Sequence, residues 1–133
     1  MPQDKASGSA ANNFGRKTAR YIAGAIGAKV LSAASNEVEY EGRRTVIKCG
    51  KKNTTSVGVT YKMQAKLSFV LAAFENEQGD YEILSLPIEV FAVHQRPTRS
   101  QGSAAGKVGI VSKTIFMQSG KFISTVSAPA GDA

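Results

Sequence analysis

The stretch Glu37–Met63, "EVEYEGRRTVIKCGKKNTTSVGVTYKM", decides the fold. "NEVEYEG" and "RRTVIKC" both alternate with period two, the pattern of half-buried strands, and they meet at Gly42, so together they predict an antiparallel hairpin. With Gly42 and Arg43 as the two turn residues, Glu41 faces Arg44, Tyr40 faces Thr45, Glu39 faces Val46, Val38 faces Ile47 and Glu37 faces Lys48. This register gives one face to Val38, Tyr40, Thr45 and Ile47, which forms core. The other face holds Glu37, Glu39, Glu41, Arg44, Val46 and Lys48. Lys48 is the residue to explain, a cation in the middle of an apolar strand.

Upstream, Phe14, Thr18, Tyr21/Ile22 and Ala25/Ile26 recur at helical spacing, with Asn12 or Asn13 available as a cap and Gly27 near the end. Arg16, Lys17 and Arg20 fall on the opposite side of that helix and make its polar face purely cationic. Downstream, "GKKNTTS" is a loop by composition. Val59, Met63, Leu67, Val70, Leu71 and Phe74 then recur at helical spacing, which predicts a short helix from about Val57 to Lys66, or alternatively one long helix to Phe74. After the short helix, "LSFVLAAFE" turns at "NEQGD" and returns as "YEILSL", a second hairpin. "PIEVFAVHQ" opens on a proline, carries Glu89 in its first turn and stops before Pro97, so it predicts a short helix. "RPTRSQGSAAG" reads as an exposed loop, and "KVGIVSKTIFMQSGKFIS" as one or two strands rich in β-branched residues and Phe.

The expected class is therefore α+β (or α/β): a single domain with a mixed sheet of about five strands and two or three flanking helices. A length of 133 residues suits one core of that kind. The domain is expected over 13–124, between small, polar, loosely ordered tails at 1–12 and 125–133.

The formal net charge is +7, and its distribution says more than its size. From Arg43 to Lys66 there are seven Lys/Arg and no acid, and from Val90 to Gly131 there are five and no acid. If those two segments meet in the fold they form a basic surface suited to a phosphate backbone. Arg16, Arg20, Arg43, Arg44, Lys51, Lys52, Arg96 and Arg99 are the expected phosphate contacts, and nucleic acid, DNA in the first instance, is the expected partner of a monomer or homo-oligomer. The single cysteine and the absence of a cleavable leader pattern make the cytoplasm the expected compartment. No apolar run approaches the ~20 residues of a membrane-spanning helix, so no membrane partner is expected.

Several chemistries are poorly supported by the residues. Cys49 and His94 are the chain's only thiol and imidazole, too few for a tetrahedral zinc site. As a nucleophile and base they would have to meet in space, and the strand alternation sends Cys49 toward the core, where a small hydrophobe is the simpler role. "TVIKCGKK" and "QGSAAGKV" resemble a phosphate loop but lack its first glycine and its terminal hydroxyl, at Thr45 and Lys52 and at Gln101 and Val108. The chain has no Trp and no ladder of basic and aromatic residues, so no stacking platform for single strands is visible.

One resemblance carries a sharper expectation. A helix, a strand bearing an acid, a turn, and a strand ending in apolar-x-Lys before a polar loop resembles the start of the PD-(D/E)xK, restriction-endonuclease-like nuclease superfamily, whose core has the order αβββαβ. On "SNEVEYEGRRTVIKCG" the resemblance places Glu37 as the first acid and Lys48 as the lysine of the triplet. It implies a hydrolase, a magnesium-dependent endonuclease, with Glu37, Glu39 and Lys48 catalytic and Glu37 and Glu39 as metal ligands. The departure is Val46, which stands where the triplet needs a carboxylate, and Glu39, opposite Val46 in the expected register, is the residue to supply it. The alternatives are a non-catalytic basic module that binds nucleic acid or an assembly, in which Glu37 and Lys48 are a cross-strand ion pair, and an interaction protein that binds no nucleic acid.

Overall fold

A computed structural model of the chain describes residues 15–32, 35–97 and 106–127. Among them are four helices and nine strands in an α+β arrangement. The first helix, α1 (15–26), ends as its glycine suggested. Gly27 takes a φ of +76°, and Ala28 N–H donates to the Ala23 carbonyl at 2.8 Å, closing the helix in a left-handed C-terminal turn. It is followed by β1 (Lys29–Ser32), β2 (Glu37–Tyr40), β3 (Arg43–Gly50), β4 (Ser56–Thr60), α2 (Tyr61–Gln64), β5 (Phe69–Glu75), β6 (Tyr81–Pro87), α3 (Ile88–His94), β7 (Arg96–Pro97), β8 (Val108–Ser112), α4 (Lys113–Ser119) and β9 (Lys121–Val126).

Six strands form one mixed sheet in the order β1-β2-β3-β5-β6-β9, in which only the β3–β5 pair is parallel. The others, β4-β8-β7, form a separate antiparallel sheet. The large sheet is apolar on both faces, because β3, β5 and β6 send alternate residues to opposite sides. Ile47, Leu71, Ala73 and Ile83 pack with Val38 against Ala19, Ile22 and Ala23 of α1. Val46, Val70, Ala72, Phe74, Leu84 and Leu86 pack against Val57 and Val59 of β4, Val111 of β8, Phe91 of α3 and Phe116 of α4. The molecule thus has three layers: α1, the large sheet, and the small sheet with its helices.

The fold class, α1, the β5–β6 hairpin and α3 match expectation. The β5–β6 turn is held by Asn76, whose Oδ1 accepts from the N–H groups of Gln78 and Asp80, both at 3.0 Å. The mixed sheet, expected with about five strands, has six, and three more form a second sheet. Three local readings are corrected. Residues 57–60, expected to open a helix, belong instead to β4: the alternation Val57-Gly58-Val59 buries both valines, and the helical spacing from Val59 to Leu67 arose because strand, short helix and loop each contribute one apolar residue. "KTIFMQS", expected as strand, is α4, since Phe116 is fully buried between Phe74 and Phe91, at ring-centroid distances of 5.8 and 6.3 Å, in edge-to-face contact. β9 runs to Val126, which is buried, two residues into the stretch expected as tail. β1 was not anticipated.

The decisive hairpin forms with a different register. Its turn residues are Glu41 and Gly42, with φ of 52° and 75°, so Tyr40 faces Arg43, Glu39 faces Arg44, Val38 faces Thr45 and Glu37 faces Val46. The shift is two residues, which preserves the assignment of residues to faces and changes every pairing.

Candidate functional site

Glu37 begins β2 and is only 6% exposed. It stands directly opposite Val46, not Lys48, and Val46 is fully buried. A carboxylate in that position must be compensated, and two groups do so: Arg44 Nε lies 3.5 Å from Oε2, and Ser35 Oγ donates to Oε1 at 3.3 Å. Glu39, expected opposite Val46 to replace the missing carboxylate, instead faces Arg44 and is exposed. The cross-strand pair of Glu37 with Lys48 is therefore replaced by a diagonal pair with Arg44.

Lys48 shares the face of Glu37 and Val46. In the ladder it stands beside Ala72 of β5, and because β2 begins at Glu37 no strand residue lies opposite it on the other side. It is diagonal to Glu37, a relation that typically separates Cβ atoms by about 7–8 Å. Burial pulls the ammonium below its ordinary value of 10.5, and the neighbouring Cys49 opposes this weakly. Among the described residues no hydrogen bond or ion pair holds that ammonium, and no side-chain polar atom is both fully buried and unbonded, so its tip keeps access to water. Cys49 points to the other side of the sheet, where burial pushes its thiol up to about 12 against the pull of Lys48. His94 is on α3, in the opposite layer, with Nδ1 3.0 Å from the Val90 carbonyl of its own helix. The two never meet, and a Cys–His pair is ruled out.

The donor set does not suit the magnesium ion that the resemblance implies. A hard dication needs several oxygen ligands, whereas this face offers one buried carboxylate flanked by the cations of Arg44 and Lys48. No three Asp, Glu, His or Cys residues converge to hold a metal among the described residues. What the face can do is present a solvent-reaching cation beside a neutralised carboxylate, an arrangement that attracts an anion.

The expected phosphate contacts divide among separate places. Arg16 and Arg20 are exposed on α1, in the layer away from Lys48, over a small cleft that includes Val30, Ser32 and Asn36. Arg43 and Arg44 are exposed at the start of β3, and Lys51 lies seven positions beyond Arg44, about 23 Å along an extended chain. Lys52 N–H donates to Glu75 Oε1 at 3.2 Å and shares a cleft with Glu75, Glu77 and Glu82, an acidic surrounding that disfavours phosphate. Arg96 is exposed in β7. Arg99 lies outside the described residues.

The two acid-free segments do meet. β4, from the first, pairs along its whole length with β8, from the second, and β7 adds to the far edge of β8. Every Asp and Glu of the described residues lies on β2, its turn, the β5–β6 hairpin or the first turn of α3, and the small sheet with α2 and α4 contains none. Lys62, Lys66 and Lys107 are all exposed; Lys62 and Lys107 flank the Thr60–Val108 end of the β4–β8 pair, and Lys66 is brought near Arg44 of the large sheet by the Ser68 N–H bond to the Arg44 carbonyl. Sequence reasoning counted these lysines without placing them. The signal that points to them is the absence of any acid from Gly42 to Phe74. Among the described residues no helix is long and apolar enough to cross a membrane. No protein-family model, curated protein or solved structure matches the chain.

Proposed function

We propose that this protein is a non-catalytic nucleic-acid-binding module, a degenerate relative in outline of the PD-(D/E)xK nucleases. The observation that carries the reading is the union of two acid-free, cationic segments in one layer. Such a layer binds phosphate by releasing condensed counterions, a driving force that requires no catalytic centre. The outline of the superfamily is supported by the element order α1-β1-β2-β3-α2-β5, with β4 inserted, and by the parallel β3–β5 pair. Degeneracy is supported by Val46 opposite Glu37 and by the closure of Glu37 with Arg44 and Ser35.

The test is incubation with supercoiled plasmid, with and without magnesium, alongside a mobility-shift titration at about 0.1 M salt, where contacts over more than about 10 Å are screened. Binding is expected, weakening steeply as salt rises, with the plasmid remaining supercoiled. A second reading, an active endonuclease, is favoured by one observation: Glu37 and Lys48, which has no partner among the described residues, share a face. Magnesium-dependent nicking that disappears in Lys48→Ala would establish it over the binding module. No shift up to about 100 μM protein, the weak end of non-specific binding, would leave only the reading without nucleic acid.

A further inference from the structure

The end of the small sheet carries an aromatic residue that the charge pattern alone does not reveal. Tyr61 opens α2, and Thr60 caps the helix by accepting from Met63 N–H at 3.2 Å. Tyr61 N–H donates to the Lys107 carbonyl at 2.9 Å, which ties α2 to the start of β8. The ring lies over Gly109, whose missing side chain makes the room: a Cβ there would come within 3.1 Å of Tyr61 Cε1 and would collide with Gln95 Oε1. Gln95 is in turn held by Gln64 Nε2, which donates to it at 2.6 Å and to the Val59 carbonyl at 3.0 Å. The two glutamines and the glycine thus form a built floor beside the ring, while 38% of Tyr61 remains exposed.

Around this ring the backbone brings cations from separate segments. Lys62 follows it in α2, and Lys107 bonds to it through the main chain. On the other side of α2, Lys66 precedes Ser68, whose N–H donates to the Arg44 carbonyl at 2.8 Å. No carboxylate belongs to α2, β4, β7 or β8.

We propose that this surface is a single-strand DNA platform, with Tyr61 stacking an unpaired base and Lys62, Lys66 and Lys107 following the phosphates on either side. The inference rests on the nucleic-acid reading and deepens it. A lone exposed ring within a cationic track discriminates strand state, because only an unpaired base offers its face, whereas the cations alone would serve a duplex equally well.

The experiment is fluorescence anisotropy of the full chain with a labelled oligo-dT and with a duplex of the same length, repeated over a salt series. Wild-type protein is expected to prefer the single strand. Tyr61→Ala should lose about tenfold on oligo-dT, with little change on the duplex and no change in salt slope, and Tyr61→Phe should retain binding. Lys62→Gln combined with Lys107→Gln should weaken both probes and reduce the slope on oligo-dT by about 1.4. Circular dichroism melting of each variant, all at exposed positions, separates lost binding from lost fold. Wild-type binding that Tyr61→Ala leaves unchanged, or reduces equally on both probes, overturns the platform while the nucleic-acid reading stands. Failure of the wild type to bind either probe overturns both.

Discussion

A lysine held between Ala72 on one side and the end of β2 on the other is charged at the expense of hydration, because no anionic partner among the described residues replaces the water it loses. The consequence for stability has a definite sign. The ammonium of Lys48 is depressed below 10.5 in the folded chain, so between its folded value and 10.5 the unfolded chain binds more protons, and stability rises with pH across that window. Below the window both states are charged and the full cost is present. Lys48→Met, similar in volume and uncharged, should therefore be more stable than wild type at pH 7, with the advantage shrinking as pH approaches 10.5. Urea titrations at the two pH values measure this. Cys49 is common to both proteins, so its own titration largely cancels. An advantage that stays constant or grows with pH would show that Lys48 has an anionic partner in the folded chain. The same residue carries much of what was legible about the site. Strand alternation alone placed Glu37, Val46 and Lys48 on one face, and they are there, whereas the partner of Glu37 was not legible, because Arg44 reaches it diagonally rather than across the ladder.

At the scale of the element, the β2–β3 hairpin explains why a pattern can be right and a register wrong. A two-residue turn at Gly42-Arg43, glycine first, and one at Glu41-Gly42, glycine second, differ by two residues in pairing and by nothing in which side chains are buried. Hydrophobic alternation therefore cannot choose between them. The chain adopts the second and places Glu41, a residue with no special tolerance for it, at a φ of 52°. A left-handed conformation costs an ordinary residue about 1–2 kcal/mol, and asparagine less. Glu41→Asn should accordingly raise stability by about 0.5–1 kcal/mol, and Gly42→Ala, at a φ of 75°, should lower it by about 1 kcal/mol or more. Both are read as shifts in urea midpoint at constant m-value. If Gly42→Ala proves neutral, the turn lies elsewhere. The misread elements β4 and α4 have a different cause, which is that their partners are remote in sequence. The valines of β4 become strand residues by pairing with β8 about fifty positions away, and the β-prone run around Phe116 becomes helical because its ring fits between Phe74 and Phe91.

Across the whole molecule, the same tertiary contacts that escaped local pattern reading also separate the charges. Apart from Glu89 on α3, the described carboxylates lie on β2, its turn and the β5–β6 hairpin of the large sheet, whereas β4, β7, β8, α2 and α4 carry cations alone, so the surface proposed for DNA exists only while the two sheets remain packed. Composition disclosed that segregation, and topology decided where it lies. Phe116 is the residue on which the packing most depends. It is fully buried, its ring meets Phe74 of the large sheet and Phe91 of α3, and α4, which carries it, links the last strand of the small sheet to the edge strand β9 of the large one. Truncating such a ring removes its burial and leaves a cavity, at a typical cost of about 3–5 kcal/mol. That is a large share of the ~5–15 kcal/mol that holds a domain folded. Phe116→Ala should therefore lower the melting temperature on the order of 10 °C or more. Phe122→Ala provides the comparison, because that ring is 54% exposed on β9 and its loss should change stability by no more than about 0.5 kcal/mol. If the layers are coupled through Phe116, unfolding followed by tyrosine fluorescence and by circular dichroism should remain coincident in wild type and separate into two transitions in Phe116→Ala. A loss below about 1 kcal/mol with a single transition would mean that the valines of β4 and β8 alone hold the small sheet in place.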